Sequence, residues 1–480
     1  MIWLGEYWLP LVFVGAYLAM LVHHCRIANR LTNTVEDFLV AGRGLGGWVV
    51  ALSFYATFVS TNTFVGQAGK SWDAGLIWYV KLPVFVSLAY LAWYVVAPRF
   101  VAKARQYGSL TVADFLGYRY DMPALRMASA AVIFAASVLY LIAVYKGSAH
   151  SLEQFLGLPY SWSAVAIFLV VTAYTLAGGF RSVVLTDAVQ GLLMAVGAVA
   201  LLVAVLVKGG GLAAILDTLR DQDPRLVSWE GKMPLMAILG LALAGGVKLM
   251  VDPRQLSRFY GLQSEGALRL AQVVAPLLIL LTYLCVLPIG ALAHAFIDAG
   301  EITESDKVMP YLLGTSEVFG PTLSSFFLLV LLSAAMSSLD SVLLVAASAV
   351  DRDLLLMGGD NVRAITRTRV WVVVISLLSM LLALNPFGDI VEITAFSGSL
   401  YAACFLPTLV LGLYWQRSTP IGAFSCVVVG SATVIGWFVA ERVGWTSMHE
   451  VYPGFAVALA TYVVVSLLTT PTSSTEPGGD

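Results

Sequence analysis

Long apolar runs alternate with short polar segments along almost the whole chain, and this pattern predicts membrane-spanning helices. A helix of about twenty apolar residues matches the hydrocarbon thickness of a bilayer. Windows of this length predict about thirteen spans, numbered here in chain order. They cover residues 7–27, 46–69, 74–98, 125–149, 160–179, 183–207, 232–252, 270–297, 322–354, 368–385, 389–415, 420–440 and 452–470.

Two of the predicted spans are interrupted. Span 2 changes from an apolar run to a polar cluster at Ser60–Thr63, and span 7 carries Gly245 and Gly246 followed by a lysine. Both patterns predict discontinuous helices, and their separation by five spans fits an inverted repeat of spans 2–6 and 7–11. The predicted division is an extra helix at 1–30, a first repeat at 46–207, a second repeat at 232–415, two final helices at 420–470 and a disordered tail at 471–480.

Composition supports an all-α integral membrane protein. The 480 residues are 59% hydrophobic and 12% charged, whereas soluble domains carry about 25% charged residues. The four cysteines lack paired spacing and are expected to pack in apolar surroundings. The net charge of −2 and the absence of a basic tail give no reason to expect a nucleic-acid partner. The five histidines lie at span ends without metal-ligand spacing, so an enzyme is not indicated.

Charge predicts the orientation of the chain. Lysine and arginine are concentrated in every second connection between the predicted spans. Arg254 and Arg258 are counted in one of these basic connections. The positive-inside rule then places the N-terminus outside and the C-terminus in the cytoplasm of a plasma or inner membrane.

Span 9 carries an unusual polar stripe. Ala334, Ser337, Ser338 and Ser341 follow i, i+3, i+4 and i+7 spacing, which puts them on one helical face. Ser337 lies roughly 20 Å along the predicted helix, close to the bilayer midplane. Serines in membrane helices also pack closely and bond their own backbone, so a structural role is the alternative.

The break in span 2 supplies a partner for this stripe. Ala56 and Val59 directly precede the polar cluster, so their carbonyls can be released from the helical ladder. With Ala334, Ser337 and Ser338 they predict a cage of five oxygens. The cage contains no carboxylate, which favours sodium over a divalent cation.

Several motifs resemble those of the sodium:solute symporter family, whose fold is the inverted repeat of the leucine transporter. They are SAAMSSLDSVLLVAASAVDRDLL at 333–355, TFVGQAG at the end of span 2, YTLAGGFRSVVLTDAVQGLLM at 174–194 and VLGLYWQR at 410–417. The resemblance implies sodium-coupled symport of a small solute across the bilayer. It also implies sodium ligation by the same five residues, through the carbonyls of Ala56, Val59 and Ala334 and the hydroxyls of Ser337 and Ser338.

Asp187 is an ionisable residue inside a span and is therefore a functional candidate. The resemblance suggests that it serves the ion route or a second ion site near Ser341. A structural ion pair with Arg181 is the alternative. No role is assigned to Asp340.

The expected solute-binding residues surround the two breaks. The candidates are Ser60, Thr63, Gln67, Lys81 and Lys248. The resemblance places Ser60 and Thr63 in the solute pocket, and capping of the half-helices is their alternative role. A third unwound point is expected at residues 397–399.

Lysines inside spans cost roughly 3 kcal/mol or more, so each should face water, a carboxylate or a ligand. Lys248 is expected to follow the break in span 7, and Lys81 to face the same cavity. The alternatives are a pair of Lys248 with Asp252, and snorkelling or pairing of Lys146 at the outer end of its helix. Two pocket lysines would predict a carboxylate-bearing solute such as pantothenate, a monocarboxylate or proline.

Other functions share this fold and stay open at this stage. They are proton-coupled transport and a non-transporting sensor or channel. Neither the solute nor the oligomeric state follows from the residues, and a monomer is one of the states left open.

Overall fold

A computed structural model describes residues 7–29, 34–298, 300–356 and 361–470. The predicted tail at 471–480 lies outside these residues. Within them the chain is almost entirely helical, with one isolated parallel bridge between Leu45 and Leu262. By length and composition eleven helices can cross a membrane, or twelve with one bent pair. The eleven are Trp8–Ile27, Leu76–Tyr107, Pro123–Leu156, Tyr160–Lys208, Leu235–Tyr260, Glu265–Ala295, Pro321–Leu354, Val362–Ala383, Ile390–Tyr414, Pro420–Arg442 and Val451–Leu468.

Short helices lie between these long ones. They are Val35–Val40, Val112–Tyr120, Leu212–Gln222 and Ser305–Gly314. Asp223, at the end of Leu212–Gln222, accepts hydrogen bonds from Arg225, which lower the pKa of its carboxyl to about 2.

One helix, Tyr160–Lys208, is 49 residues long. At ~1.5 Å per residue it would be more than twice as long as a bilayer is thick. Gly179 interrupts it with φ 60° and ψ −170°, a conformation that only glycine adopts readily. The two parts, 160–178 and 180–208, correspond to predicted spans 5 and 6. The total of thirteen spans stays a prediction.

Span 9 lies at the centre of the protein. In Pro321–Leu354, 89% of the most apolar stretch is buried, compared with 17% in Trp8–Ile27 and 28% in each of the last two helices. Small residues allow neighbouring helices to approach closely. At Gly197, for example, an added Cβ would lie 2.4 Å from Val330 of span 9. The stripe of small and hydroxyl residues is therefore removed from lipid.

The break in span 2 lies where the polar cluster begins, as predicted. Helix Gly47–Phe58 ends at Val59, which has φ −77° and ψ 99°, and the chain continues at 50° in Asn62–Ala74. At this break, side-chain hydroxyls replace backbone carbonyls as hydrogen-bond acceptors for backbone N–H groups. Ser60 Oγ accepts a hydrogen bond from the Asn62 amide at 3.1 Å, and Thr63 Oγ1 accepts one from the Ser60 amide at 3.4 Å.

The predicted break of span 7 at Gly245–Gly246 is wrong. The helix continues through both glycines from Leu235 to Val251 and ends at Asp252, which has ψ 125°. Pro253 disfavours helical geometry in the residue before it and suits the first turn of the following helix, Pro253–Tyr260. Gly246 instead permits close packing, because an added Cβ would lie 2.6 Å from Leu88.

The predicted unwinding at residues 397–399 is also wrong. Helix Ile390–Phe405 is continuous there. A Cβ on Gly398 would lie 2.0 Å from the carbonyl oxygen of Ala244, so this glycine lets spans 7 and 11 touch.

Replacing Gly179 with alanine tests the division of the longest helix. We expect Gly179→Ala to destabilise the protein by about 1–3 kcal/mol, because alanine is strained at this φ and ψ. Its Cβ would also lie 2.6 Å from the Phe38 ring. Thermal unfolding in detergent measures the effect. Gly436→Ala is the control, since open space surrounds that glycine, and equal melting temperatures for the two variants would contradict the assignment.

Candidate functional site

The polar stripe of span 9 meets span 2 at its break. Ser337 Oγ donates a hydrogen bond to the carbonyl of Ala56 at 3.0 Å and lies 3.4 Å from the carbonyl of Ala334. Val59, where the half-helix ends, is fully buried. Three of the five predicted sodium ligands are thus in direct contact, and Val59 lies at the end of the half-helix that contains Ala56.

Ser338 lies next to Ser337 on the same helix and bears on the two interpretations of the stripe. Its hydroxyl is fully buried and has no hydrogen-bond partner within the described part of the chain. A serine with a purely structural role bonds its own backbone, as Ser341 does to the carbonyl of Ser337 at 2.8 Å. An unpaired buried hydroxyl costs free energy, so the site offers an oxygen that is available to a ligand.

Asp187 forms a fully buried ion pair with Arg258, not with Arg181. Arg258 Nη2 lies 2.7 Å from Asp187 Oδ2, and neither side chain is exposed. The same carboxylate oxygen accepts hydrogen bonds from Ser53 at 2.7 Å and from Thr57 at 3.4 Å. The charge of Asp187 is therefore matched by an internal cation, while its Oδ1 has no partner among the residues described.

This ion pair is connected to the stripe through Ser341. Arg258 Nη2 also donates to Ser341 Oγ at 2.6 Å. Ser341 Oγ also lies 3.0 Å from Asp340 Oδ1, which competes with the Ser337 carbonyl for the same hydroxyl hydrogen. Tyr174 donates to the other oxygen of Asp340. The structure thus brings Asp187 and Ser341 together, as expected, but with a guanidinium between them.

A second cluster forms around Tyr140 on the other side of the break. Tyr140 donates its hydroxyl hydrogen to Ser60 Oγ at 2.8 Å. The ammonium of Lys248 lies 4.7 Å from the centre of the Tyr140 ring and the guanidinium of Arg254 lies 3.8 Å from it. Two cations therefore contact the aromatic residue that holds Ser60.

The position and pairing expected of Lys248 are wrong. Lys248 precedes the break by one turn, and its ammonium donates to the carbonyl of Thr394 at 2.6 Å. Asp252 is occupied by Arg254, whose amide and Nε lie 2.9 and 3.1 Å from Asp252 Oδ1. A helical turn places residues 248 and 252 as neighbours, but the proline-induced break turns Asp252 towards the following helix.

Lys81 has no polar partner among the residues that the structure describes, although it is fully buried. Its ammonium lies over the rings of Trp78 at 4.1 Å and Phe85 at 5.4 Å. Phe85 packs against Tyr283 with ring centres 4.7 Å apart, and the Tyr283 hydroxyl lies 3.1 Å from Thr63 Oγ1. Aromatic rings thus link Lys81 to the break.

Gln67 and Lys146 have contrasting environments. Gln67 is 1% exposed, and its Oε1 is unpaired within the described ranges. Lys146 pairs with Asp306 at 2.7 Å and Glu304 at 3.3 Å, which confirms the structural alternative. The charge of Lys146 is therefore compensated by two carboxylates of the protein.

A cavity of about 460 Å³ has none of the five predicted solute-binding residues in its lining. Its lining includes Lys70, Asp389, Glu392, His449 and Glu450. Burial, together with the nearby charge of Lys81, lowers the pKa of His449 to about 4, so this imidazole is neutral at pH 7.

Comparison of the sequence with models of known protein families identifies the family to which the chain belongs. A model of the sodium:solute symporter family matches residues 38–430. The chain belongs to the sodium:solute symporter family. It is therefore a transporter with sodium as its coupling ion, and not an enzyme.

The sequence similarity to known transporters covers nearly the whole length of the symporter. The osmoregulated proline transporter OpuE of Bacillus subtilis (strain 168) is 28% identical over 97% of this chain and 94% of its own length. The sodium/pantothenate symporter of Escherichia coli (strain K12) is 28% identical over 95% of each chain. That of Haemophilus influenzae is 26% identical, also over 95% of each chain.

Solved structures share the fold. A Na⁺-coupled sialic acid symporter in a substrate-bound, outward-open state has a TM-score of 0.79, 17% identity and coverage of 96% of this chain and 98% of its own. The nucleobase-cation-symport-1 family transporter Mhp1 has a TM-score of 0.57, 13% identity and coverage of 92% and 97%. The symporter thus shares its overall fold with these two transporters.

Sequence reasoning missed three residues of the site. Arg254 and Arg258 were assigned to an inner connection, but they are 3% and 0% exposed on helix Pro253–Tyr260. The Asp-Pro pair that begins this helix was a usable signal. Tyr140 gave no such signal, because it is one of 20 tyrosines in the chain.

Mutational coupling tests the buried pair. Asp187→Asn and Arg258→Gln should each destabilise the symporter by about 3–5 kcal/mol, because each leaves an uncompensated buried charge. The double variant should be much more stable than the sum of the single effects indicates. Thermal unfolding measures all three. Arg269→Gln, in an exposed pair with Glu265, is the control and should change little; additive effects at the buried pair would contradict the assignment.

Proposed function

We propose that this symporter takes up a small carboxylate-bearing solute, of the proline or pantothenate class, together with sodium bound between spans 2 and 9. The sodium ligands in this proposal are the carbonyls of Ala56, Val59 and Ala334 and the hydroxyls of Ser337 and Ser338. The observation that carries the proposal is the contact between Ser337 and the Ala56 carbonyl, beside an unpaired Ser338 hydroxyl.

The donor set suits a monovalent hard cation. Carbonyl and hydroxyl oxygens are ligands for such ions, and the break in span 2 interrupts the helical ladder beside two of them. The nearby carboxylate of Asp187 is already paired with Arg258. The cage therefore has no charge of its own to balance a divalent ion.

The same break links the ion to the solute. Sodium would hold the end of helix Gly47–Phe58 against span 9, and Ser60 and Thr63 follow directly in the chain. Their hydroxyls contact Tyr140 and Tyr283, which lie beside Lys248 and Phe85 respectively. An ion and a solute that stabilise the same arrangement raise each other's affinity.

Lys81 gives the reason for a carboxylate on the solute. An isolated ammonium in a dry interior is costly, and two aromatic rings only partly compensate it. A solute carboxylate would supply the missing partner, and Lys248 and Gln67 would complete the polar lining. Relatives of this chain transport proline or pantothenate, and both molecules carry a carboxylate.

Uptake is the direction expected in a cell. We propose an outer N-terminus, a cytoplasmic C-terminus and a monomeric transport unit. In this orientation the cavity lined by Lys70, Asp389 and His449 faces outwards, where it would admit the solute. An inside-negative membrane potential adds ~2.3 kcal/mol per sodium charge per 100 mV to the driving force.

Removing the Ser338 hydroxyl tests the ion site. In proteoliposomes with an inward sodium gradient, we expect uptake of labelled proline or pantothenate that stops when potassium replaces sodium. Ser338→Ala should raise the sodium concentration for half-maximal uptake about ten-fold, since a bond to a charged group is worth about 1.5–3 kcal/mol.

Ser348→Ala is the matched control for this experiment. Ser348 lies on the same helix, and its hydroxyl donates to its own backbone, at Val345, at 3.0 Å. Its sodium requirement should equal that of the wild type. The ion site is refuted if Ser338→Ala and Ser348→Ala respond to sodium alike.

Replacing Lys81 separates stability from transport. Lys81→Met removes an unpaired buried charge, so the melting temperature should rise, while the apparent KM for the solute should rise at least about ten-fold. Lys103→Met is the control, because Lys103 is exposed and bonds Gln106. A Lys81→Met protein with an unchanged KM would exclude this residue from solute binding.

A further inference from the structure

A groove on the outer surface of the helix bundle lies between spans 5 and 10, away from the ion and solute sites. It is a shallow, open depression of about 510 Å³, lined by Ala173, Leu176 and Ala177 on one side and by Thr366, Arg369 and Val370 on the other. This size is within the range of small-molecule sites in proteins, about 300–1,000 Å³. The groove is apolar except at Thr366 and Arg369.

The arginine in this groove, Arg369, has no carboxylate within ion-pair distance in the part of the chain that the structure describes, and its Nε is buried there without a hydrogen-bond partner. Asp351, a carboxylate at the end of span 9, pairs with Arg367 at 2.8 Å. The nearest contact described for the Arg369 guanidinium is the Phe38 ring, 5.9 Å away. A cation in an apolar groove is complementary to an anionic group.

The groove continues along the membrane-facing surface. Leu169 precedes Ala173 by one helical turn and is 59% exposed, and Val374 follows Val370 by one turn and is 45% exposed. These residues extend the apolar walls away from Arg369 on both helices. A ligand that fits the whole track has an anionic head and a long apolar chain.

The position of Arg369 along its membrane-spanning helix also suits an anionic lipid. Arg369 lies eight residues after the start of helix Asn361–Ala383, which is about 12 Å along its axis. Arginine at this depth extends its head towards the polar boundary of the bilayer. Basic sites between membrane helices bind anionic lipid headgroups.

We propose that the groove between spans 5 and 10 binds an anionic phospholipid, with its phosphate on Arg369 and one acyl chain along Ala173, Leu169 and Val374. The small side chains of Ala173 and Ala177 leave the space that the lipid fills. The Thr366 hydroxyl already donates its hydrogen to the carbonyl of Val362, so Arg369 supplies the specificity for charge.

Native mass spectrometry of the purified full-length protein tests the proposal with two lipids of identical acyl chains. Phosphatidylglycerol should be retained about ten-fold more strongly than phosphatidylcholine, as expected for a charge-assisted bond. Arg369→Gln should remove this preference, and Arg269→Gln, an exposed arginine paired with Glu265, should keep it. Equal retention of both lipids by the wild type would overturn the proposal.

A second variant keeps the test decisive if Arg369→Gln is unstable. Ala173→Phe fills the groove and leaves Arg369 in place, so it should lose the same bound phosphatidylglycerol. Retention of that lipid by Ala173→Phe would overturn the assigned groove.

Competition with a water-soluble phosphate compound distinguishes lipid binding from binding of free phosphate. Glycerol phosphate at millimolar concentration should not displace phosphatidylglycerol, because it lacks the acyl chain. Displacement would show that the site takes free phosphate and would overturn the lipid assignment.

Discussion

The structure depends on the high free-energy cost of leaving polar groups unpaired where water is absent. In the middle of a membrane protein, an interrupted helix is tolerated only where its carbonyls find partners. Here the Ser337 hydroxyl donates to the Ala56 carbonyl at 3.0 Å, which joins span 9 to the break in span 2. This contact is the basis of the proposed ion site, and the hydroxyl of Ser338 beside it has no partner among the described residues.

The buried charges follow the same constraint and separate into two groups. Asp187 and Arg258 satisfy each other and bind spans 2, 6 and 7 together with the stripe of span 9. Lys81 has only aromatic neighbours. Asp187 and Arg258 compensate each other within the described residues, whereas the ammonium of Lys81 has no such partner. This difference is the reason for proposing that the solute binds near Lys81.

The sequence alone predicted the structural features that are determined by residues close together in the chain. The apolar runs, the break after Val59 and the stripe of span 9 each depend on neighbouring residues, and the structure contains them. The break of span 7 was misplaced, since Gly245 and Gly246 serve packing between helices and the Asp252–Pro253 pair ends the helix. The partner of Asp187 could not be predicted either, because Arg258 lies 71 residues away in the chain.

The central claim is that one conformation of the span 2 break binds sodium and solute together. Equilibrium binding of labelled proline or pantothenate to the purified protein, in sodium and in potassium, tests it most directly. Sodium should raise solute affinity, saturating solute should raise sodium affinity by the same factor, and Ser338→Ala should reduce both effects equally. Solute affinity that is identical in sodium and potassium would contradict the account.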